Sequence, residues 1–237
     1  MDFPFSHLAY LFNVSESCAT ETFHRVLGLL YYTICVPPLA PFLTAENFRN
    51  GAMPCFRDMA LFRNVAMIID CTEFFMQTPS DLEAQRLTFS RYKHHNTLKV
   101  LVAISQSGQV AFVSLCYGGR ISDKELTDAC GVIKLLWPGV DVMVDKGFLI
   151  EDMLKEAGVK LVIPPMCTTG KQFNKEQLQS GRDIAAARIH VERIIGKAKE
   201  YRMLANEVPV NMANQFSKVA RVVFYLTNYT GDIVIPK

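Results

Sequence analysis

Apolar and polar positions recur along this chain with two different periods, and the change from one to the other divides it. From Ser6 to Phe12, and again from Glu16 to about Tyr32, apolar residues return at helical spacing, which predicts two consecutive helices. Asn13, Val14 and Ser15 separate them. Asn13 tolerates the left-handed backbone of a tight helix-to-helix turn, and Ser15 can cap the second helix. Leu8, Ala9, Phe12 and Val14 are then expected to face inward, as in a helix-turn-helix. Pro37, Pro38 and Pro41 break this pattern and Asn50-Gly51 marks a turn, so residues 36–60 are expected to form a linker with at most one short helix.

Beyond residue 60 short apolar runs alternate with helical patterns. Strands are predicted over Ala66–Asp70, Thr97–Ser105, Val110–Cys116, Val140–Val144 and Val159–Ile163, with the second and third joined as a hairpin through Ser107-Gly108. Ser122 can cap a helix running to about Leu136, where Trp137-Pro138-Gly139 stops it. Further helices are predicted from about Leu149 to Ala157, from Asn174 to about Leu204, and from Asn211 to Asn228. Three meandering strands followed by two that arrive through helical crossovers make a ribonuclease H-like α/β arrangement, a mixed five-stranded sheet flanked by helices. The predicted organisation is a partial helix-turn-helix segment over residues 1–35, the linker, and a ribonuclease H-like domain over 61–237.

Composition changes this picture only at its edges. No apolar run approaches the roughly 18–20 residues that a membrane span needs, and the first residues lack the basic-then-apolar layout of a secretory signal. The seven cysteines are odd in number, scattered and never in a C-x-x-C pair, which points to reduced structural thiols and a reducing, intracellular compartment rather than a disulfide framework or zinc ribbon. A formal net charge of +2 announces no nucleic-acid binder, but the charge is clustered. Arg86, Arg91, Lys93 and Lys99 fall in a stretch with His94 and His95 and no acid, and six basic residues outnumber three acids between Arg182 and Arg202.

The candidate chemistry lies in three acids. Asp70 and Asp145 each end an apolar strand, the end at which open sheets bind ligands. If their strands are neighbours, the carboxylates face each other across about 4.8 Å. Glu192 lies on a basic helix whose buried stripe is expected to be Ile189, Ile194, Ile195 and Ala198, and Arg188 and Lys199 share its face. Singly, each acid reads as an ordinary strand-end residue or as half of an i, i+4 surface pair. Together they suit the in-line cutting of a phosphodiester by two divalent ions about 3.5–4 Å apart. Magnesium prefers such oxygen ligands.

Around them, Lys93, His94 and Lys146 are candidate phosphate contacts, and adjacent His94 and His95 are poorly spaced for a shared zinc ion. Gly147 can allow close backbone approach; Glu73 is expected in a loop after the first strand, and Asp123 as a helix N-cap.

The blocks Ile-Ile-Asp-Cys-Thr-Glu, Tyr-Lys-His-His-Asn-Thr-Leu-Lys, Tyr-Gly-Gly-Arg-Ile-Ser-Asp-Lys-Glu, Val-Asp-Lys-Gly-Phe and Arg-Ile-His-Val-Glu-Arg-Ile-Ile-Gly-Lys-Ala-Lys occur in that order. Over about Val65–Asn228 the chain resembles the DDE superfamily endonuclease domain of eukaryotic transposases related to PIF/Harbinger, particularly the ISL2EU-like group. The resemblance implies a ribonuclease H-like fold, magnesium or manganese as a pair of ions, DNA as partner, strand cleavage and transfer, and nuclear work in a homo-oligomer, with an accessory DNA-binding protein as a further possible partner. It implies Asp70, Asp145 and Glu192 as the catalytic and metal-holding acids, and Arg188 and Lys199 as DNA contacts. The Arg188, Glu192, Lys199 spacing is also similar to a signature of bacterial insertion-sequence transposases, with Ala185 where those carry tyrosine. The first helices resemble the helix-turn-helix that precedes such nucleases, without its first stabilising helix. A domesticated or truncated transposase that binds DNA without cutting it is the alternative expectation.

Overall fold

A computed structural model of the chain describes residues 4–36, 52–165 and 174–230. The expected linker, with its proline cluster and Asn50-Gly51 turn, lies largely in 37–51, outside the described residues. The helices are α1 Phe5–Phe12, α2 Glu16–Leu30, α3 Pro54–Arg57, α4 Leu82–Thr88, α5 Asp123–Cys130, α6 Glu151–Glu156, α7 Lys175–Glu200, α8 Arg202–Ala205 and α9 Ala213–Leu226. The strands are β1 Val65–Phe75, β2 Phe89–Ser90, β3 His95–Ile104, β4 Val110–Val113, β5 Tyr117–Gly118, β6 Asp141–Met143 and β7 Lys160–Val162.

β1 is the centre of the sheet. It pairs antiparallel with β3, from Ile68 opposite Ile104 to Phe75 opposite Thr97, and parallel with β6, Ile68 beside Met143. β7 lies parallel outside β6, and β4 runs antiparallel along the far side of β3. The order β4-β3-β1-β6-β7 is the ribonuclease H-like order expected from the sequence, and the two-residue strands β2 and β5 are added against β3. Helices cover both faces, which is why the strands read as continuous apolar runs rather than alternating ones. Ile68, Val100 and Val102 face a core built with Ile184, Val191, Ile194 and Phe224 of α7 and α9. Met67, Ile69 and Leu101 face a second core with Leu126, Val132 and Leu154.

Several elements differ from expectation for local reasons. β1 continues five residues past Asp70, because Cys71–Phe75 find ladder partners on β3 although their sequence is mixed. The helix begun at Ser122 stops at Gly131, whose φ of +70° is left-handed, and a 3₁₀ turn over Val132–Leu135 replaces its last part. The long helix ends at Glu200, where Tyr201 is extended. α4 has a polar sequence that gave no apolar period; Asp81 caps it by accepting from the Ala84 amide at 2.7 Å.

The N-terminal turn forms as its residues dictate. Asn13 is left-handed at φ +51°, and Ser15 Oγ accepts from the Cys18 amide at 3.2 Å. Of the four residues expected inward, Ala9 is buried but Phe12 and Val14 are exposed, since two short helices enclose little volume of their own. The hairpin leans on the rest of the chain instead. α2 runs into a π-helical turn over Tyr31–Cys35, and Arg221 of α9 donates to Tyr31 Oη at 2.8 Å and Cys35 O at 3.0 Å. Leu27 and Cys35 join the core shared with α7 and α9, as do the fully buried Phe56 and Phe62 after α3's start.

Candidate active site

The β1–β6 register brings the first two acids together. Ile68 is the Cα partner of Met143, so two residues further along both strands Asp70 comes beside Asp145. Each carboxylate is oriented by the next peptide: the Cys71 amide donates to Asp70 Oδ1 at 2.8 Å, and the Lys146 amide to Asp145 Oδ1 at 2.7 Å. A charge-assisted bond of this kind fixes the side chain and leaves the second oxygen free to face outward.

The third acid comes from α7. Its buried stripe is Ile184, Ala187, Val191, Ile194 and Ala198, which seats the helix on the sheet. Ile195 belongs to it at the margin, but Ile189 is exposed, contrary to expectation, because it falls on the side turned from the sheet. Beside that stripe, Arg188 reaches back over the strand ends. Its Nη1 lies 2.9 Å from Asp145 Oδ1 and its Nη2 3.8 Å from Glu192 Oε1. The guanidinium is nearly buried and its Nε has no partner, while Asp145 and Glu192 are half exposed. Asp70 is pushed up to about 6, first by burial and further by the charges of Glu192 and Asp145, against the Cys71 amide and Arg188, which pull it down. The three acids and Arg188 therefore share one electrostatic neighbourhood.

As the side chains stand, no three acids, histidines or cysteines among the described residues are gathered closely enough to hold a metal ion. Asp145 and Glu192 are drawn toward Arg188 instead. The donor set nevertheless fits divalent metal: three carboxylates, hard oxygen donors, and one of them poorly compensated because it is buried. In this arrangement the guanidinium provides the positive charge that such a cluster requires.

The other expected contacts are dispersed. Lys199 does not turn toward Glu192. It is mostly buried, with Nζ 3.1 Å from Glu73 O and 5.2 Å from the Phe74 ring centre, and its pKa is lowered by burial and then by Lys93. Lys93 is exposed above the Tyr92 ring at 4.6 Å. His94, in the same turn, has φ +53°, a strained conformation for a non-glycine residue that marks a tight bend. Lys146 is exposed next to Asp145. His95 stands apart from His94's turn, with Nε2 3.6 Å from Glu207 Oε1.

Glu73 and Asp123 have a role that the sequence did not disclose. Glu73 lies within β1, not in a loop, and Asp123 follows the true N-cap, Ser122, which forms a capping box with Glu125. Lys99 joins them: Nζ is 2.8 Å from Asp123 Oδ1, 3.9 Å from Glu73 Oε1 and 3.0 Å from Ile121 O. Thr97 Oγ1 donates to Glu73 Oε2 at 2.8 Å. The Glu73–Lys99 ladder pair across β1 and β3 was the available signal, visible only once the register was known.

Two family models match the chain. Residues 69–228 match the DDE superfamily endonuclease, and residues 2–35 match the helix-turn-helix of DDE superfamily endonuclease. No curated protein matches it. The first match runs over β1 to α9, contains all three acids and spans more than half of the sequence, so the chain belongs to the DDE superfamily endonucleases and carries their helix-turn-helix ahead of the nuclease fold.

Proposed function

We propose that the chain cuts DNA phosphodiesters, and transfers the resulting strand ends, at Asp70, Asp145 and Glu192. The observation that carries this is the β1–β6 register, which sets Asp70 beside Asp145, with Arg188 linking Asp145 to Glu192. Family membership implies divalent-metal use. Two magnesium or manganese ions held by the three carboxylates would activate the attacking oxygen and steady the leaving oxygen. The chain's own part is to orient these carboxylates through the Cys71 and Lys146 amides and to keep Asp70 in a poorly solvated position. On loading, Arg188 leaves its carboxylates for a phosphate oxygen of the DNA, a partner matched to its planar fork. Lys146, Lys93 and His94 are the further DNA contacts, and Lys199 supports the strand end at Glu73.

In the same proposal residues 1–35 are a DNA-recognition unit and 61–237 the nuclease, working in the nucleus as a homo-oligomer that holds two DNA ends, within the PIF/Harbinger ISL2EU-like group. A binding or scaffold protein that no longer cuts is the second reading, favoured by the closure of Arg188 on two of the acids. Incubation of end-labelled duplex DNA with the protein and magnesium distinguishes them. Cleavage by wild type that falls at least ~10³-fold in Asp145→Asn, about 4 kcal/mol of transition-state stabilisation, is expected. Cleavage unchanged by that substitution removes the assignment, and metal-independent binding with no cutting favours the scaffold.

A further inference from the structure

A second basic site lies on the same sheet, away from the three acids. Leu82, Gln85 and Arg86 of α4, Phe89 of β2, Arg91, Asn96 of β3 and Arg120 enclose a cavity of about 350 Å³. Three guanidinium groups meet there. Arg86 pairs with Glu83 at 2.9 Å, on an exposed stretch of its own helix, while among the described residues neither Arg91 nor Arg120 has a carboxylate partner. The amides in the wall are already engaged: Asn96 accepts from Thr88 Oγ1 at 2.9 Å and donates to Thr78 Oγ1 at 3.1 Å, and Gln85 Nε2 donates to Pro79 O at 2.7 Å. The unsatisfied polar groups are therefore chiefly cationic donors, which select an anion.

Phe89 and Leu82, both partly or largely exposed, give the cavity an apolar side. An aromatic face beside guanidinium groups is the combination that holds a base and its phosphate together in single-strand binding. The site is also built rigidly. Arg120 is placed by its own amide, which donates to Leu87 O at 3.2 Å, and the preceding Gly118 and Gly119 lie so close to Leu87 and Thr88 that no side chain fits between them.

Its position suits a strand leading to or from the cut. Asp70 stands opposite Val102 on β3, and Phe89 opposite Asn96. Those β3 residues are six positions apart, about 20 Å at the usual strand rise. That is roughly six nucleotides at the 3.4 Å rise per base of a duplex strand, and fewer for an extended strand. Lys93, with Tyr92 beneath it, lies toward the same end of the sheet, close enough to Lys199 to lower its pKa.

We infer that Arg86, Arg91 and Arg120, with Phe89, bind an unpaired DNA nucleotide flanking the scissile phosphate, gripping its phosphate and stacking its base. The inference rests on the DNA-cutting function proposed above but concerns residues outside the three acids.

The test is fluorescence anisotropy of the full chain in chelator, with a blunt duplex and with the same duplex carrying a six-nucleotide DNA tail of either polarity. A tail of one polarity is expected to raise affinity about tenfold. Arg91→Gln with Arg120→Gln removes that gain, reduces the salt slope on tailed DNA by about 1.4, two phosphate contacts at about 0.7 each, and leaves blunt-duplex binding within about twofold. Phe89→Leu also loses most of the gain, and Arg91→Lys with Arg120→Lys restores part of it. Because the arginines are exposed, melting temperatures should match wild type; should the double variant melt early, the Phe89→Leu result and the wild-type tail effect decide alone. No tail effect in wild type, an equal loss on blunt and tailed DNA, or a gain with an RNA tail only, overturns the inference. Magnesium-dependent cleavage is scored on the same substrates. Cleavage without a tail effect sinks the nucleotide site and spares the nuclease; a tail effect without cleavage does the reverse.

Discussion

Arg188 Nη1 stands 2.9 Å from Asp145 Oδ1, close enough that the guanidinium serves as the counter-charge of the acid cluster. A cation already in place must be displaced before another can enter, so Arg188 and a divalent ion compete. Arg188→Gln is expected to lower the melting temperature of the metal-free protein by a few degrees, the scale of about 1 kcal/mol for a partly exposed pair. The same variant should gain more stability than wild type from added magnesium, because three carboxylates are left less compensated. Thermal melts with and without magnesium measure both effects. An identical magnesium response in the two proteins would refute the competition.

Lys99 has the opposite relation to its acids, since it is a permanent part of the fold. Its side chain is 12% exposed and that of Glu73 8%, so removing the ammonium strands a carboxylate whose other partner is the Thr97 hydroxyl. Breaking one side of a buried pair costs about 3–5 kcal/mol, whereas removing both charges is far milder. Lys99→Met should therefore lower the melting temperature by about 10 °C, and Lys99→Met with Glu73→Gln should recover most of it. A double variant no more stable than Lys99→Met would show that the charge is not what matters there.

Gly119 is fixed by space alone. A Cβ at this position would come within 1.8 Å of Thr97 Oγ1 and 2.9 Å of the Thr88 carbonyl, and the latter is backbone that cannot turn aside. Gly119→Ala must push the β5 turn away from β3, breaking the Gly119 amide bond to Thr97 O. The expected cost is about 3 kcal/mol, at the upper end of overpacking effects. Denaturant unfolding checks it, and Thr97→Ser should not rescue it, because the Thr88 carbonyl remains in the way.

These residues also mark where the sequence could and could not be read. Asp70 and Asp145 were legible because each follows an apolar run in which both faces of the strand are buried, and a charge at the end of such a run is conspicuous. Asn13 and Ser15 were legible because their turn and cap chemistry is local. The Glu73–Lys99–Asp123 cluster was not, since its members are 26 and 24 residues apart and meet only through the β1–β3 register. The partnership of Arg188 with Asp145 was hidden for the same reason: on the helix Arg188 reads as the i, i+4 partner of Glu192, yet its shorter contact crosses to the sheet. Ile189 shows the limit of periodicity, because a long helix over a twisted sheet need not bury every apolar residue near its stripe.

Cys35 supplies a prediction for the join between the N-terminal helices and the rest. It is 4% exposed in the core against α9, and burial pushes its thiol from near 9 up to about 11. Between those values the unfolded chain has given up the proton and the native chain still holds it, so the unfolded state binds fewer protons and stability falls as pH rises through the window. Below pH 9 this contribution is fully present, and above about 11 it is lost. Pulsed alkylation read by mass spectrometry tests the packing directly. At pH 8 the exposed Cys18 should react in the native protein, while Cys35 reacts only after denaturation. As pH is raised toward 11, Cys35 labelling should grow with the unfolded fraction and track loss of the melting transition. Native labelling of Cys35 at the rate of Cys18 would mean that the π-helical turn opens freely from α9, and that the N-terminal helices are not held by the core they share.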